Sequence, residues 1–305
     1  MGIVTVLFQQ NIIMFIYMLV GYVLYKNRLI SAKGSGEIGK ILLYVIMPVS
    51  IINSYIKDFS QEMLVGFLLS FVAALLSLIL AIVVSALFFH RRSAIREFGA
   101  AFSNAGFIGI PLVQMTLGSD AVFYVASYVA LLNILQWTYG VLILTKDRSK
   151  VSVKKIATNP IVIALIIGLI LFFFPIQLPD ILTTVISTLA SMNGPLAMIV
   201  LGAYLAQIPL RSLFTDRLTY QCTAVRLLII PVLTILLLTL VIPEAYSDIR
   251  LALLLVASAP VGSNVAIFAQ LYDKEYTDAV KDVCLSTVFS IATMPLIVAL
   301  ANLIW

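Results

Sequence analysis

Phe102-Ser103-Asn104-Ala105-Gly106-Phe107-Ile108-Gly109-Ile110-Pro111 and Ala257-Ser258-Ala259-Pro260-Val261-Gly262-Ser263-Asn264 are the two stretches on which the fold turns. Each interrupts a long apolar run with proline, glycine and short polar residues. Proline removes a backbone donor and clashes with the preceding turn, while glycine and small polar residues tolerate an opened backbone. In hydrocarbon such an opening survives only where protein or a wet cavity surrounds it. Two of them predict two broken helices that meet inside the protein; a pair of simple kinks in packed helices is the plainer alternative.

The rest of the chain sets the solvent in which these helices break. Of its 305 residues 62% are hydrophobic and 11% charged, and the mean hydropathy is +1.11. This is the composition of an integral membrane protein, and it excludes a disulfide scaffold, a disordered regulator and a soluble enzyme. Cys222 and Cys284 both sit inside apolar runs. The net charge of +5 is not read as a nucleic-acid signal, because in a membrane protein the place of each charge matters more than the sum. His90 stands beside Arg91 and Arg92, and no His, Cys and carboxylate cluster has metal-ligand spacing. Neither a metal nor another cofactor is expected.

Apolar stretches long enough to cross about 30 Å of hydrocarbon number ten, over residues 5–25, 37–56, 62–89, 95–118, 120–145, 159–175, 180–207, 217–242, 248–271 and 278–304. No positive residue precedes the first and no small-residue cleavage pattern follows it, so it is read as a spanning helix, not a signal peptide. The period-2 alternation of a membrane barrel is absent. The fold class is therefore all-α.

Sixteen of the nineteen Lys and Arg fall after helices one, three, five, seven and nine: Lys26, Arg28, Lys33, Lys40; Arg91, Arg92, Arg96; Lys146, Arg148, Lys150, Lys154, Lys155; Arg211, Arg217; Lys274, Lys281. These loops are assigned to the cytoplasm by the excess of positive charge, which places both termini outside. Lys57 and Arg250 fall on the opposite side, and Arg226 within helix eight. The basic loop near mid-chain divides the sequence into residues 1–148, a linker 149–158 and residues 159–305, each block with five spans. An odd number per block makes the two halves insert in opposite directions, the plan of a 5+5 inverted repeat. Gly21 and Pro48 in the first block match Gly168 and Pro195 in the second, both pairs 27 residues apart.

The interruptions fall in helices four and nine, corresponding members of the two blocks. Proline favours the first position of a helix, so Pro111 and Pro260 are expected to begin the second half-helices. Two helix amino ends converging at the membrane centre would make an anion site without a charged side chain. All fourteen carboxylates are read as lying in loops or near helix ends, and Lys281 and Asp282 as solvated charges. Proton relays and cation sites commonly use buried Asp or Glu, so an anionic cargo is favoured. Asn104, Asn264, Ser258, Ser263 and freed carbonyls leave Na+ open as an alternative.

The runs at 104–111 and 259–264, Gly194-Pro195-Leu196-Ala197-Met198-Ile199-Val200-Leu201-Gly202, and Leu285-Ser286-Thr287 leading to Pro295 together resemble the auxin efflux carrier family over essentially the whole chain. That family includes plant PIN-type auxin exporters and bacterial malate or malonate permeases, and is similar in fold to bile acid:sodium symporters. The resemblance implies a scaffold of helices one, two, six and seven, a transport domain of helices 3–5 and 8–10, crossing broken helices, elevator-type alternating access and a homodimer. By motif match Asn104, Pro111, Pro260 and Asn264 carry over as crossover residues. The short central loop, unlike that of many plant members, implies a compact carrier of a microbial cytoplasmic membrane.

Gly106, Gly109 and Ser263 complete the candidate substrate-binding set within the breaks. Gln136, which shares a helical stripe with Asn133 and Tyr139, and Thr287, which shares one with Ser286, Ser290 and Thr293, are candidate lining residues; helix packing is the other reading of both stripes. Arg226 is read either as a substrate contact or as an interfacial anchor or intraprotein partner. Asn53 and Asn193 are read as local caps, with the scaffold side of a cavity as the alternative. The expected function is secondary transport of a small organic anion, such as a dicarboxylate or indole-type acid, with Na+ or H+ coupling open. An anion channel and a solute sensor are the competing classes. No nucleophile and base pair points to an enzyme.

Overall fold

The computed structural model describes residues 3–90, 92–174, 176, 178–207, 209, 214–274 and 276–305. Arg91 and Arg211 of the charge census, and Glu275 of the acidic census, lie outside the described residues. Regular structure among the described residues is helical throughout, and the one β-type pairing is an isolated antiparallel bridge between Ser103 and Val261.

The helices are α1 Ile3–Lys26, α2 Ala32–Tyr55, α3 Gln61–Phe89, α4 Ala94–Ala101, α5 Ala105–Leu117, α6 Ser119–Thr145, α7 Val153–Ala157, α8 Pro160–Phe173, α9 Asp180–Leu205, α10 Arg217–Val241, α11 Ser247–Ser258, α12 Asn264–Leu271 and α13 Tyr276–Ile304. Seven of them, α1, α2, α3, α6, α9, α10 and α13, are individually long and apolar enough to cross a membrane. The bent pair of α7 and α8 raises that to eight if it forms one span. Each of the two interrupted runs folds as two shorter helices, α4 with α5 and α11 with α12.

Local chemistry sets where the helices begin. Ser60 Oγ accepts from the Met63 amide at 3.1 Å, Asn159 Oδ1 from the Ile161 amide at 2.9 Å ahead of Pro160, and Asp216 Oδ1 from the Leu218 amide at 2.9 Å. Each satisfies an amide that the first turn cannot. Proline acts within the helices too. The π-helical segments Leu42–Ile46, Ala105–Gly109 and Val225–Ile229 each end two residues before a proline, Pro48, Pro111 and Pro231. A wider turn accommodates the missing donor and the ring clash without ending the helix.

Glycine sets how closely the helices pack. A Cβ on Gly202 would lie 1.8 Å from the Met18 carbonyl oxygen, and one on Gly21 would lie 2.0 Å from that of Ile199. The backbones of α1 and α9 therefore touch, an approach typical of membrane helices with small residues at the crossing. A Cβ on Gly168 of α8 would lie 2.8 Å from the Tyr55 ring of α2. α1 thus packs along α9 and α8 along α2, while α3 packs on α10, α4 on α13 and α11 on α6.

Candidate functional site

The two openings are bonded to each other through their main chains. The Asn104 amide donates to the Pro260 carbonyl at 2.7 Å, and the Gly262 amide donates to the Phe102 carbonyl at 3.0 Å. Side chains brace the pair: Ser103 Oγ donates to the Val256 carbonyl at 2.8 Å, and Ser286 Oγ of α13 accepts from the Val261 amide at 3.0 Å. Groups that the break takes out of helical pairing are thus satisfied locally, as burial requires. A Cβ on Gly109 would stand 2.9 Å from Val256 Cγ1, so glycine is what lets α5 lie against α11.

The helices resume at residues other than the prolines. α5 starts at Ala105, and Pro111 follows its π-helical turn; the first backbone after Asn104 returns directly to helix because that turn absorbs the proline. In the second break Ala259 is extended (ψ 150°) and the helix restarts at Asn264, four residues beyond Pro260. Pro111 stands in the first turn of the α-helical part Ile110–Leu117, as expected, whereas the expectation that Pro260 begins a half-helix is corrected. Asn104 and Asn264 stand where the helices resume.

Helix polarity divides the site. α4 and α11 bring carboxyl ends, with free carbonyls, to the break; α5 and α12 bring amino ends. Arg226, fully buried in α10, answers the first pair: Nη1 donates to the Ala100 and Ala101 carbonyls at 3.0 and 3.2 Å, and Nη2 to the Ala257 carbonyl. One guanidinium therefore caps both negative ends. The two positive ends open onto the break, the Val265 and Ala266 amides of α12 turning back to the Gly262 and Ser263 carbonyls.

Unspent side-chain donors lie with them. Asn264 Nδ2 donates to Gln136 Oε1 at 2.9 Å, which leaves Gln136 Nε2 buried with no protein partner, and Asn104 Nδ2 is in the same condition. Asn193 of α9 has both side-chain amide atoms buried without a partner, so it is not the local cap expected of it. A Cβ on the adjacent Gly194 would stand 3.4 Å from Pro111, which places this turn of α9 against α5. Gly106 faces α2, where its missing side chain is replaced by the Met47 methyl. The carbonyl of Asn53 does accept from the Ile56 amide at the end of α2.

Other candidates have local partners. Thr287 donates to the Val283 carbonyl at 2.7 Å and lines a small cleft shared with Met18 and Leu201. Ser263 is buried, and its carbonyl accepts from the Ala266 amide. The α6 stripe reaches three different elements: Asn133 accepts from Asn159 at 3.2 Å, Gln136 from Asn264, and Tyr139 donates to Glu97 at 2.6 Å.

Glu97 and Asp282 do lie near helix starts, but the reading of Asp282 as a solvated charge is corrected. Glu97 and Asp282 are buried, as is Arg96. Arg96 bonds Asp278 at 2.8 Å and also Asp216, residues brought from α13 and from the cap of α10. No sequence signal joins positions so far apart, and the neighbouring Arg92 made Arg96 look like one more loop charge.

Spanning helices arranged around opened, mutually bonded backbone with uncommitted donors define a polytopic membrane transport protein. Residues 6–298 match the family described as "Membrane transport protein", and the chain belongs to it, the auxin efflux carrier family. A protein of Rhizobium meliloti (strain 1021) named "Putative malonate transporter" is 28% identical over 221 residues, 68% of this chain and 68% of the relative. The chain is thus a membrane transporter and not an enzyme.

Proposed function

We propose that the protein is a secondary carrier of a small dicarboxylate, with malonate the first candidate from the name of its Rhizobium meliloti relative. The observation that carries this is the sorting of helix ends at the break: Arg226 occupies the carbonyls of α4 and α11, while the amino ends of α5 and α12 open onto the break together with the unpartnered side-chain donors of Asn104 and Gln136. Free donors without a free cation suit an anion.

In this reading the chain spans the membrane ten times as two inverted blocks of five, and the breaks are crossing helices at the midplane. Support comes from the packing partners, since α1 on α9 mirrors α8 on α2, and α11 on α6 mirrors α4 on α13, as a two-fold relation would demand. α1, α2, α8 and α9 form the scaffold; α3 to α6 and α10 to α13 carry the site past it in an elevator motion. Asn104, Gly106, Gly109, Pro111, Pro260, Ser263, Asn264 and Gln136 shape the site, Arg226 fixes its polarity, and Thr287 lies on the face toward the scaffold. The working form is a homodimer in a microbial cytoplasmic membrane, with both termini outside.

The test is counterflow in proteoliposomes. Vesicles preloaded with unlabelled malonate accumulate radiolabelled malonate transiently and saturably if the protein is a carrier. Ohmic currents without counterflow select a channel, and binding without flux selects a sensor.

A further inference from the structure

A second polar centre lies one helical turn from the break and has an imbalance that the anion site does not use. Asp282 of α13 is completely buried, and neither of its carboxylate oxygens has a hydrogen-bond partner. Its nearest cation is Arg96, whose Nε stands 3.9 Å away and is itself buried and unpartnered. The remaining donors of Arg96 are committed: Nη1 to Asp278 and Nη2 to Asp216, both about a quarter exposed. Asp216 is capped as well. Partial burial pushes its carboxyl up, but the Leu218 amide, the Arg96 guanidinium and the Thr219 hydroxyl outweigh this and hold it below the ordinary carboxylate range.

The charges facing Asp282 are therefore Arg96 from α4, Asp216 from the start of α10, and Asp278 on its own helix, with Lys281 acting on Asp216. Two cations serve three carboxylates, and the excess carboxylate is the one cut off from water. Cys222 of α10 packs on the same spot: a Cβ on Gly99 would lie 3.7 Å from its Sγ and 3.9 Å from Asp282 Oδ2. α12 has no described charged residue to offer, α1 meets α13 on another face beside Cys284 and Thr287, and α11 contributes Arg250 only at the far end, over the Trp305 ring. An unpaired buried carboxylate is far costlier than its neutral acid.

The position links this group to the anion site. Asp282 and Ser286 are four residues apart on one face of α13, and Ser286 Oγ holds the Val261 amide inside the break. Val261 also reaches the Gly99 side of the cluster.

We infer that Asp282 is the proton-binding site of the carrier: the carboxyl takes up one proton from the side to which α13 exposes it, holds it as the neutral acid in the buried arrangement, and releases it to the other side when α13 exposes it there. The inference rests on the carrier reading above and supplies its coupling ion, so that substrate anion and proton cross in the same direction. With a net proton on Asp282, the charge moved with each dicarboxylate falls by one.

The experiment uses the full chain in proteoliposomes with radiolabelled malonate. An inward gradient of about one pH unit supports about tenfold accumulation per coupled proton. The wild type is expected to reach this, whereas Asp282→Asn, a neutral isostere of the protonated acid, retains counterflow at equal pH and accumulates nothing above equilibration. Counterflow in the wild type with accumulation indifferent to pH, or equal accumulation by Asp282→Asn, overturns the proton site and leaves the carrier standing; absence of counterflow in the wild type overturns the carrier. Infrared difference titration of the wild type decides occupancy separately from transport: a protonated-carboxyl band at neutral pH, sensitive to deuterium exchange, is expected, and its absence overturns the inference.

Discussion

Asn264 donates from Nδ2 to Oε1 of Gln136 at 2.9 Å, tying the first residue of α12 to the point where α6 widens into the π-helical segment Gln136–Gly140. The bond orients two amides from opposite halves of the chain beside the main-chain link between Asn104 and Pro260. Three of the side chains around the break are thus amides, which can donate to a carboxylate without carrying charge into the membrane.

Asn104→Ala and Asn264→Ala are expected to insert normally and to lose malonate transport. A hydrogen bond to a charged group contributes about 1.5–3 kcal/mol, so affinity should drop by about tenfold or more. Gln136→Ala removes the partner of Asn264 and should raise KM with a smaller effect on maximal rate. Unchanged kinetics in all three variants would remove the amides from the site.

Arg226→Leu leaves the carbonyls of Ala100, Ala101 and Ala257 without their common donor. Unpaired buried polar groups cost about 1–3 kcal/mol each, so the variant should lose thermal stability in detergent by several degrees or more, with or without substrate. A pure substrate-contact role predicts the opposite pattern: unchanged stability of the empty protein and loss of ligand-induced stabilisation alone. Thermal unfolding with and without malonate separates the two.

Much of this arrangement was legible in sequence, for reasons that are physical. Bilayer thickness forces long apolar runs, and proline with glycine inside them marks an opened backbone, so the stretches at 102–111 and 257–264 stood out. Arg226 stood out as well, since a charge inside such a run needs a partner. That its partners are carbonyls was not legible, because backbone acceptors leave no trace in the side-chain sequence. Asp282 was hidden by the opposite cause. It stands beside Lys281 near a helix start, and only the approach of Arg96 and Cys222 from distant segments removes it from water. Pro260 misled about the helix start because its ring suits a first turn, whereas here the helix does not resume until Asn264.

Glycine substitutions distinguish close packing from mere flexibility. Gly202→Ala places a methyl 1.8 Å from the Met18 carbonyl oxygen, so α1 and α9 must separate, and overpacking of this kind costs about 1–3 kcal/mol or more. Gly36→Ala, in α2 with nothing within 4 Å of the added carbon, should instead stabilise by about 0.5–1 kcal/mol through helix propensity. Equal melting temperatures for the two variants would contradict the contact between α1 and α9.

Topology can be read by labelling, because ion pairs sort the connections into two ends. Arg96 draws Asp216 and Asp278 together, so the segments before α4, α10 and α13 share one end. At the other, Lys57 pairs with Asp120 at 2.7 Å, and the Trp305 indole donates to Thr239 beside Arg250, which bonds the Ile242 carbonyl at 2.8 Å. In the proposed orientation the first end, which is richer in Lys and Arg, faces the cytoplasm. A cysteine in place of exposed Ser149 should therefore resist an impermeant maleimide in intact cells, while a cysteine appended after Trp305 should react. Labelling of Ser149→Cys from outside would invert the protein in the membrane, and labelling of both would break the odd count of spans per block on which the inverted repeat depends.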